Sequence, residues 1–598
     1  MRSGSDGIAS QRSSTISHSL LKPPPSNPNR NPYCYLQTHE APSTIDTMAP
    51  TQGILYVTMQ PKAGSGLTNE AFHDWYNNEH GPTRLRLPFI TNGFRYRASE
   101  SRPEWMAVYD ITDMEELTKD AYLRLRDPPV KSQREADTMA KIKVDRKIYD
   151  FVEERKSEKF RVLEEVGNEG EGNVMVAVAL DLKDGEGRKE ELDKWYREEH
   201  IDMLSKVPGW LRTRRFVTSS IDPKAPVEYL SLHEYARENG LAGPEFKAAT
   251  TTKWNNEIMT NTVKEKRRRV YDLYYTFGPA PRYLAPNLQS WELSDPESSK
   301  TKTFSEGFGG SGAVESWVTT ADGVELPYRL DGSVDPDAPL IVLSNSILVD
   351  YHIWDGFLSS FFSNPSNNKY RVLRYLTRGR SSKYGSKPIN VDVLASDITA
   401  LLDALRVKKA AAVIGVSLGG ATTLNTALKY PSRVSAFISC DTSSKSPAGN
   451  SKAWGDRIAV SEKEGAVSAS SKEPIVGDEL AEMTTRRWFV PDSYNDPELQ
   501  PKLLEVREMV KTNSLEGFKG SVRALFEYDL KEEMKTSEVK GMFVVGSGDG
   551  VLPGTMKEMA GAYGKSGAVY EVIEGAGHLP MVEKPEEFAK VVTKFLSS

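Results

Sequence analysis

From residue 314 onward the chain alternates continuous apolar runs with stretches of helical period. The runs are PLIVLSN (339–345), YRVLRYL (370–376), AAAVIGVS (410–417), VSAFISCD (434–441), GMFVVGSGD (541–549) and AVYEVIEG (568–575). Strands that are apolar on both sides belong to a parallel sheet covered on both faces, so 314–598 is expected to be an α/β domain. Upstream the pattern differs. GILYVTMQ (53–60) alternates like a half-buried strand, and Phe72, Trp75 and Tyr76 fall at i, i+3 and i+4, the apolar face of a helix. EWMAVYDI (104–111) and RKIYDFV (146–152) supply later strands. The order strand, helix, strand, helical stretch, strand then recurs in VMVAVALDL (174–182), Leu192 with Trp195 and Tyr196, VEYLSLHEY (227–235) and RVYDLYY (269–275).

The recurrence extends to residue identity. FHDWYNNEHGPTRLRLP ends at Pro88 and LDKWYREEHIDMLSKVP at Pro208, so Trp75, Tyr76, Glu79 and His80 return as Trp195, Tyr196, Glu199 and His200. Two repeats follow, over 48–155 and 173–276. A sheet with helices on one face leaves its other face bare, and pairing two such units buries both. The W-Y-x-x-E-H signature followed by proline resembles the EthD-like branch of the dimeric α+β-barrel (ferredoxin-like) superfamily. That resemblance implies an intramolecular pseudo-dimer on a fold shared with decarboxylases, dehydratases, monooxygenases and muconolactone isomerase. His80 and His200 close the aromatic helices, where they are candidates for general bases in a second site or for helix-end caps.

Residues 277–313 are rich in proline, serine and glycine without a sustained period and read as a linker. Residues 1–47, with LKPPPSNPNRNP, have little to bury and read as a disordered extension, either an optional upstream segment or a mitochondrial presequence. A length of 598 residues exceeds a single core. A net charge of -6 gives no reason to expect nucleic acid or an acidic membrane as partner, and no apolar run is long enough to span a bilayer. Two cysteines, Cys34 and Cys440, make neither a disulfide framework nor a zinc site and fit a reducing compartment, so a cytoplasmic location is expected, with mitochondrial as the alternative. No metal or cofactor is implied, and self-association into a homo-oligomer stays open.

Gly415-x-Ser417-x-Gly419 has the spacing of a nucleophile elbow, in which a sharp strand-to-helix turn exposes a serine. Such a serine needs an acid and then a histidine later in the chain. Of eight histidines only His578 follows Ser417 in a suitable place, on a glycine-rich turn after the last strand. Asp549, after GMFVVGSG, is the expected acid and Asp441 the competitor. The oxyanion donors would be the N–H groups of Leu418 and Ile347, with Asn345 and Ser346 beside them. VLSNSILVDYHIWD, RVLRYLTRGR, GVSLGG, RRWFVPD, LEGFKGSVRALFEYDL, GSGDGVLP and GAGHLPMVEKPEEF together resemble the 3-oxoadipate enol-lactonase family across 314–598.

The resemblance implies an α/β-hydrolase with a helical cap at about 445–535, acting on a small-molecule lactone or ester in aromatic catabolism. Leu376, Ser381 and Ile347-Leu348 depart from the family pattern without removing a catalytic atom. A lactone of this class carries a free carboxylate, for which Arg487 is the candidate partner and Trp488 an apolar wall. The chain is thus expected to be multidomain, tandem α+β ferredoxin-like repeats followed by an α/β-hydrolase domain. Two alternatives accompany the lactonase reading: a bifunctional enzyme whose repeats isomerise, decarboxylate or dehydrate, and a secondary-metabolism esterase whose repeats only dimerise.

Overall fold

The computed structural model describes residues 51–98, 100, 102–162, 172–292 and 301–598. The expected extension at 1–47 lies outside the described residues. Eight strands close into a barrel: β1 (Gly53–Pro61), β2 (Ile90–Ala98), β3 (Trp105–Ile111), β4 (Ile142–Lys156), β5 (Val174–Leu182), β6 (Trp210–Thr218), β7 (Tyr229–Tyr235) and β8 (Val263–Phe277). Their order around the barrel is β1-β3-β2-β8-β5-β7-β6-β4, and every neighbouring pair is antiparallel. The repeat in sequence is therefore a repeat in topology. The first half contributes β4-β1-β3-β2 and the second β8-β5-β7-β6, joined along β2–β8 and β4–β6.

Strand periodicity explains the layers. Successive side chains point to opposite faces, so Ile54, Tyr56, Met106 and Val108 meet Met175, Leu230, Leu232 and Tyr271 in one cluster drawn from both repeats. Leu55, Val57 and Met59 face the other way, against Phe72, Trp75 and Tyr76. Val176, Val178 and Leu180 do the same against Leu192, Trp195 and Tyr196. In both repeats the W-Y-x-x-E-H motif carries a π-helical turn, Tyr76–His80 and Tyr196–His200, a widened geometry that often marks functional positions.

The C-terminal half is an α/β domain. Its sheet comprises β9 (Trp291–Glu292), β10 (Lys302–Phe304), β11 (Ala313–Thr319), β12 (Glu325–Gly332), β13 (Leu340–Ser344), β14 (Arg371–Tyr375), β15 (Ala412–Val416), β16 (Ala436–Cys440), β17 (Lys540–Gly546) and β18 (Val569–Ile573). The order is β18-β17-β16-β15-β13-β14-β12-β11-β10-β9, parallel from β14 to β18 and antiparallel beyond. Every residue of β13, β14, β15 and β16 is buried, as continuous apolar runs require. Helices Asn450–Glu464, Asp478–Trp488, Gln500–Lys511 and Leu515–Ser521 are inserted between β16 and β17. No helix among the described residues is long and apolar enough to cross a membrane.

Residues 277–313 depart from the expectation of a linker. Ala280, Leu284, Ala285 and Leu288 are buried in the core of the C-terminal domain, and β9 and β10 lengthen its sheet. The segment also grips the barrel. Asn78 Nδ2 donates to the Tyr283 carbonyl and Asn78 Oδ1 accepts from the Tyr283 N–H, both at 2.9 Å. Trp291 Nε1 donates to Asp74 Oδ2 at 2.7 Å, and Arg406 Nε donates to the Phe277 carbonyl at 3.0 Å. Proline and glycine here mark irregular backbone; its apolar residues tie it down.

Candidate active site

The site forms where the order of the parallel strands reverses. β13 lies between β14 and β15, so the connections leaving the carboxyl ends of the adjacent strands β13 and β15 run to opposite sides and open a crevice there. Ser417 follows β15 at that end and leads into helix Leu418–Lys429 with φ 59° and ψ -117°. That conformation is costly for a residue with a Cβ and persists only where the surroundings enforce it. The flanking glycines serve close approach. A Cβ on Gly415 would stand 2.2 Å from the Gly419 carbonyl oxygen, and one on Gly419 would stand 2.3 Å from that of Ser344. Neither glycine has positive φ among the described residues, so the turn demands small residues around a strained serine rather than strained glycines.

Ser417, Asp549 and His578 line one cavity of about 230 Å³. His578 Nδ1 is 2.7 Å from Asp549 Oδ2. Asp441 lies behind them: it is buried, Oδ1 accepts from the Gly546 N–H at 2.9 Å, and Oδ2 has no hydrogen-bond partner. Burial and the neighbouring Asp549 charge push the pKa of the Asp441 carboxyl well above the usual carboxylate range. The three side chains bring ligand atoms within 4.8 Å of one another. The imidazole nitrogen facing the carboxylates is already engaged with Asp549, and proximity is the sole feature favouring a cation there.

Leu418 and Ile347 are buried, Ile347 borders the cavity, and neither N–H donates a hydrogen bond among the described residues. Asn345 and Ser346 depart from their expected place at the substrate. The Asn345 amide is consumed, donating to the Tyr375 carbonyl at 2.7 Å and accepting from Trp354 Nε1 at 2.9 Å, which pins the loop after β13. Ser346 lines a separate void of about 10 Å³ beside Arg380. Trp488 stacks on the His578 ring with centroids 5.7 Å apart and planes 24° apart.

Arg487 borders the cavity together with Arg457 and Trp454, which sequence reasoning missed. Trp454 and Arg457 stand three apart on helix Asn450–Glu464, one face of one helix, and that spacing was the available signal. Arg457 lies over the Trp454 ring at 4.3 Å and Arg487 at 5.9 Å. Partial burial and the Arg457 charge lower Arg487 to about 10, which leaves it cationic at neutral pH. Neither guanidinium forms an ion pair with a carboxylate of the described residues.

His80 and His200 lie apart from this cavity, in the two barrel repeats. His80 Nδ1 contacts the Glu135 carboxylate at 2.9 and 3.0 Å, and burial with the Arg84 charge lowers its pKa to about 4. His200 Nδ1 is buried without a partner. The structure does not bring the two histidines into one pocket.

A family model described as the alpha/beta hydrolase family matches residues 342–591. The chain is 28% identical over 277 residues to 3-oxoadipate enol-lactonase 2 of Acinetobacter baylyi, covering 46% of this chain and 93% of that protein. It is 26% identical over 282 residues to 3-oxoadipate enol-lactonase 1 of the same organism, covering 47% and 96%. A solved enol-lactonase from Burkholderia xenovorans superposes with a TM-score of 0.41 at 26% identity, covering 47% of this chain and 100% of that one.

Proposed function

We propose that the C-terminal domain is a serine hydrolase that opens a carboxylate-bearing lactone or ester, of the 3-oxoadipate enol-lactone kind, through an acyl-enzyme. The observation that carries this reading is the cavity shared by Ser417, His578 and Asp549, with two unpaired arginines on its wall. Ser417 Oγ attacks the carbonyl while His578 takes its proton, and Asp549 holds Nδ1–H so that Nε2 is the base. The free N–H groups of Leu418 and Ile347 receive the oxyanion. The carbonyl–oxygen bond of the ring then breaks, and the departing enolate takes the proton from His578 and relaxes to a ketone. Water activated by His578 frees the acid and restores Ser417. Arg487 and Arg457 receive the substrate carboxylate, with Trp454 beside them.

In the same reading the N-terminal barrel is a tandem EthD-like unit of the ferredoxin-like kind, supported by its repeated strand order and repeated π-helical turn. The test is hydrolysis of an enol-lactone and of neutral aryl esters by wild type and Ser417→Ala. Substitution is expected to cost about 10³-fold or more in kcat. An unchanged rate in the variant would remove Ser417 from the mechanism.

A further inference from the structure

The barrel holds a second cavity, of about 300 Å³, on the outer face of the β5–β7–β8 sheet beneath the helices of the second repeat. It shares no lining residue with the Ser417 cavity. The same place in the first repeat holds about 10 Å³. Strand register makes the comparison residue by residue. Tyr109 faces Leu55 across β3–β1 where His233 faces Val176 across β7–β5. Val144 faces Met59 where Lys266 faces Leu180, and Arg146 faces Val57 where Arg268 faces Val178.

The first repeat fills this place with polar side chains bonded to one another. Tyr109 OH bonds Tyr76 OH at 3.0 Å, and Phe277 stacks on both rings. Glu135 engages His80 and approaches Arg84 at 3.7 Å. In the second repeat Tyr196 and His200 are kept, while three of the filling residues are replaced. Leu204 stands for Arg84, His233 for Tyr109, and Asn255, spent on the Thr250 carbonyl at 2.8 Å, for Glu135. His200 is consequently 8% exposed with Nδ1 unpartnered, a cost that native interiors rarely carry without a purpose.

The polar groups that remain have a consistent chemistry. Thr213 Oγ1 accepts from Trp210 Nε1 at 3.1 Å and lies 3.0 Å from His233 Nδ1, a contact that holds the ring in place in either tautomer. His233 Nε2, the other ring nitrogen, makes no hydrogen bond among the described residues and is free to exchange one with a ligand. Burial and the neighbouring His200 lower the pKa of His233 and keep it neutral. Lys266 and Arg268 also line the cavity, and no carboxylate of the described residues pairs with either. The walls between are Val178, Leu180, Leu204, Phe246 and Trp195.

We propose that the second repeat binds a small organic acid with an aromatic or alicyclic body, its carboxylate on Lys266 and Arg268 and a polar substituent on His233 Nε2, and that the first repeat lacks this site. A volume of about 300 Å³ is at the lower end of ligand pockets, suited to a single-ring or two-ring acid.

The test uses the full chain carrying Ser417→Ala, titrated calorimetrically with cinnamate and with neutral cinnamamide. Cinnamate is expected to bind and cinnamamide to bind at least 10-fold more weakly. Adding Lys266→Ala with Arg268→Ala is expected to weaken cinnamate at least 10-fold. His233→Tyr, which installs the residue of the first repeat, is expected to abolish binding while leaving aryl-ester hydrolysis by the Ser417 form unchanged. Arg487→Ala is expected to leave the titration unaltered. No binding up to 10 mM, or binding lost with Arg487→Ala and kept in the Lys266/Arg268 variant, would overturn the proposal. Either result leaves the hydrolase reading standing, because Ser417 is tested separately.

Discussion

His578 is held to Trp488 twice over, by ring stacking at 5.7 Å and by a backbone hydrogen bond at 2.6 Å from its own N–H to the Trp488 carbonyl. Trp488 is the last residue of helix Asp478–Trp488, so the imidazole rests on the inserted helices as well as on the sheet. Glu583 strengthens the same joint. Its carboxylate accepts from the Val490 N–H at 3.0 Å and from the Gly577 N–H at 2.5 Å, on either side of the stacked pair.

Trp488→Ala is therefore expected to act on turnover and on stability together. Emptying a buried indole site costs about 3–5 kcal/mol, and a displaced base lowers kcat by about 10²-fold. Trp488→Phe keeps a stacking face and should recover most of kcat. Steady-state kinetics with a thermal melt on each variant checks both parts; a melt lowered with kcat unchanged would leave Trp488 a packing residue only.

Asp441 and Asp549 make opposite predictions. Asp549 touches His578, so Asp549→Asn is expected to lower kcat by about 10⁴-fold. Asp441→Asn removes a buried ionisable group, retains an acceptor for the Gly546 N–H, and should keep kcat within about threefold. Its signature is in stability. The folded pKa of Asp441 is raised, whereas the unfolded value is about 3.9. The wild-type contribution is thus complete below about pH 4 and is lost as pH rises toward the folded pKa. Asp441→Asn removes that loss, so its Tm should exceed wild type at pH 8 by about 2 °C or more and approach it at pH 4.

Arg457 and Arg487 should separate substrates by charge. Losing one charge-assisted contact costs about 1.5–3 kcal/mol, so Arg487→Ala is expected to raise KM for a carboxylate-bearing lactone by about 10-fold or more. Hydrolysis of neutral aryl esters should stay within about twofold. Arg457→Ala should behave alike, and the double variant should exceed either. Equal losses on charged and neutral substrates would mean that the arginines support the cap and not the carboxylate.

The C-terminal half was legible because its candidate residues sit in short motifs at strand ends, where local sequence dictates local geometry: Ser417 on its elbow, His578 on a glycine turn. The barrel repeat was legible because Trp75 and His80 return as Trp195 and His200. Pairwise partners across the chain were not. Asn345 was assigned to the substrate from its place beside the oxyanion loop, yet Tyr375 and Trp354, from other elements, claim its amide. Arg457 escaped notice because nothing in its own helix says which face meets Ser417. The segment around Trp291 read as a tether because composition reports backbone irregularity and not contact.

That segment carries the last prediction. The Trp291 indole donates to Asp74 at 2.7 Å and lies under the Arg134 guanidinium at 3.9 Å, while Arg134 itself pairs with Asp74 at 2.7 Å. Trp291→Ala removes the indole contact and leaves the Asp74–Arg134 pair intact, so it should loosen the grip of the barrel on the strap without unfolding either. Loss of one hydrogen bond to a charged group and one cation–π contact costs about 2–4 kcal/mol together. The expected readouts are earlier proteolytic cutting within residues 278–313 and a broader or split thermal transition, with kcat on aryl esters within about twofold of wild type. A single unshifted transition and unchanged cutting would show that Asn78–Tyr283 and Arg406–Phe277 hold the halves without Trp291.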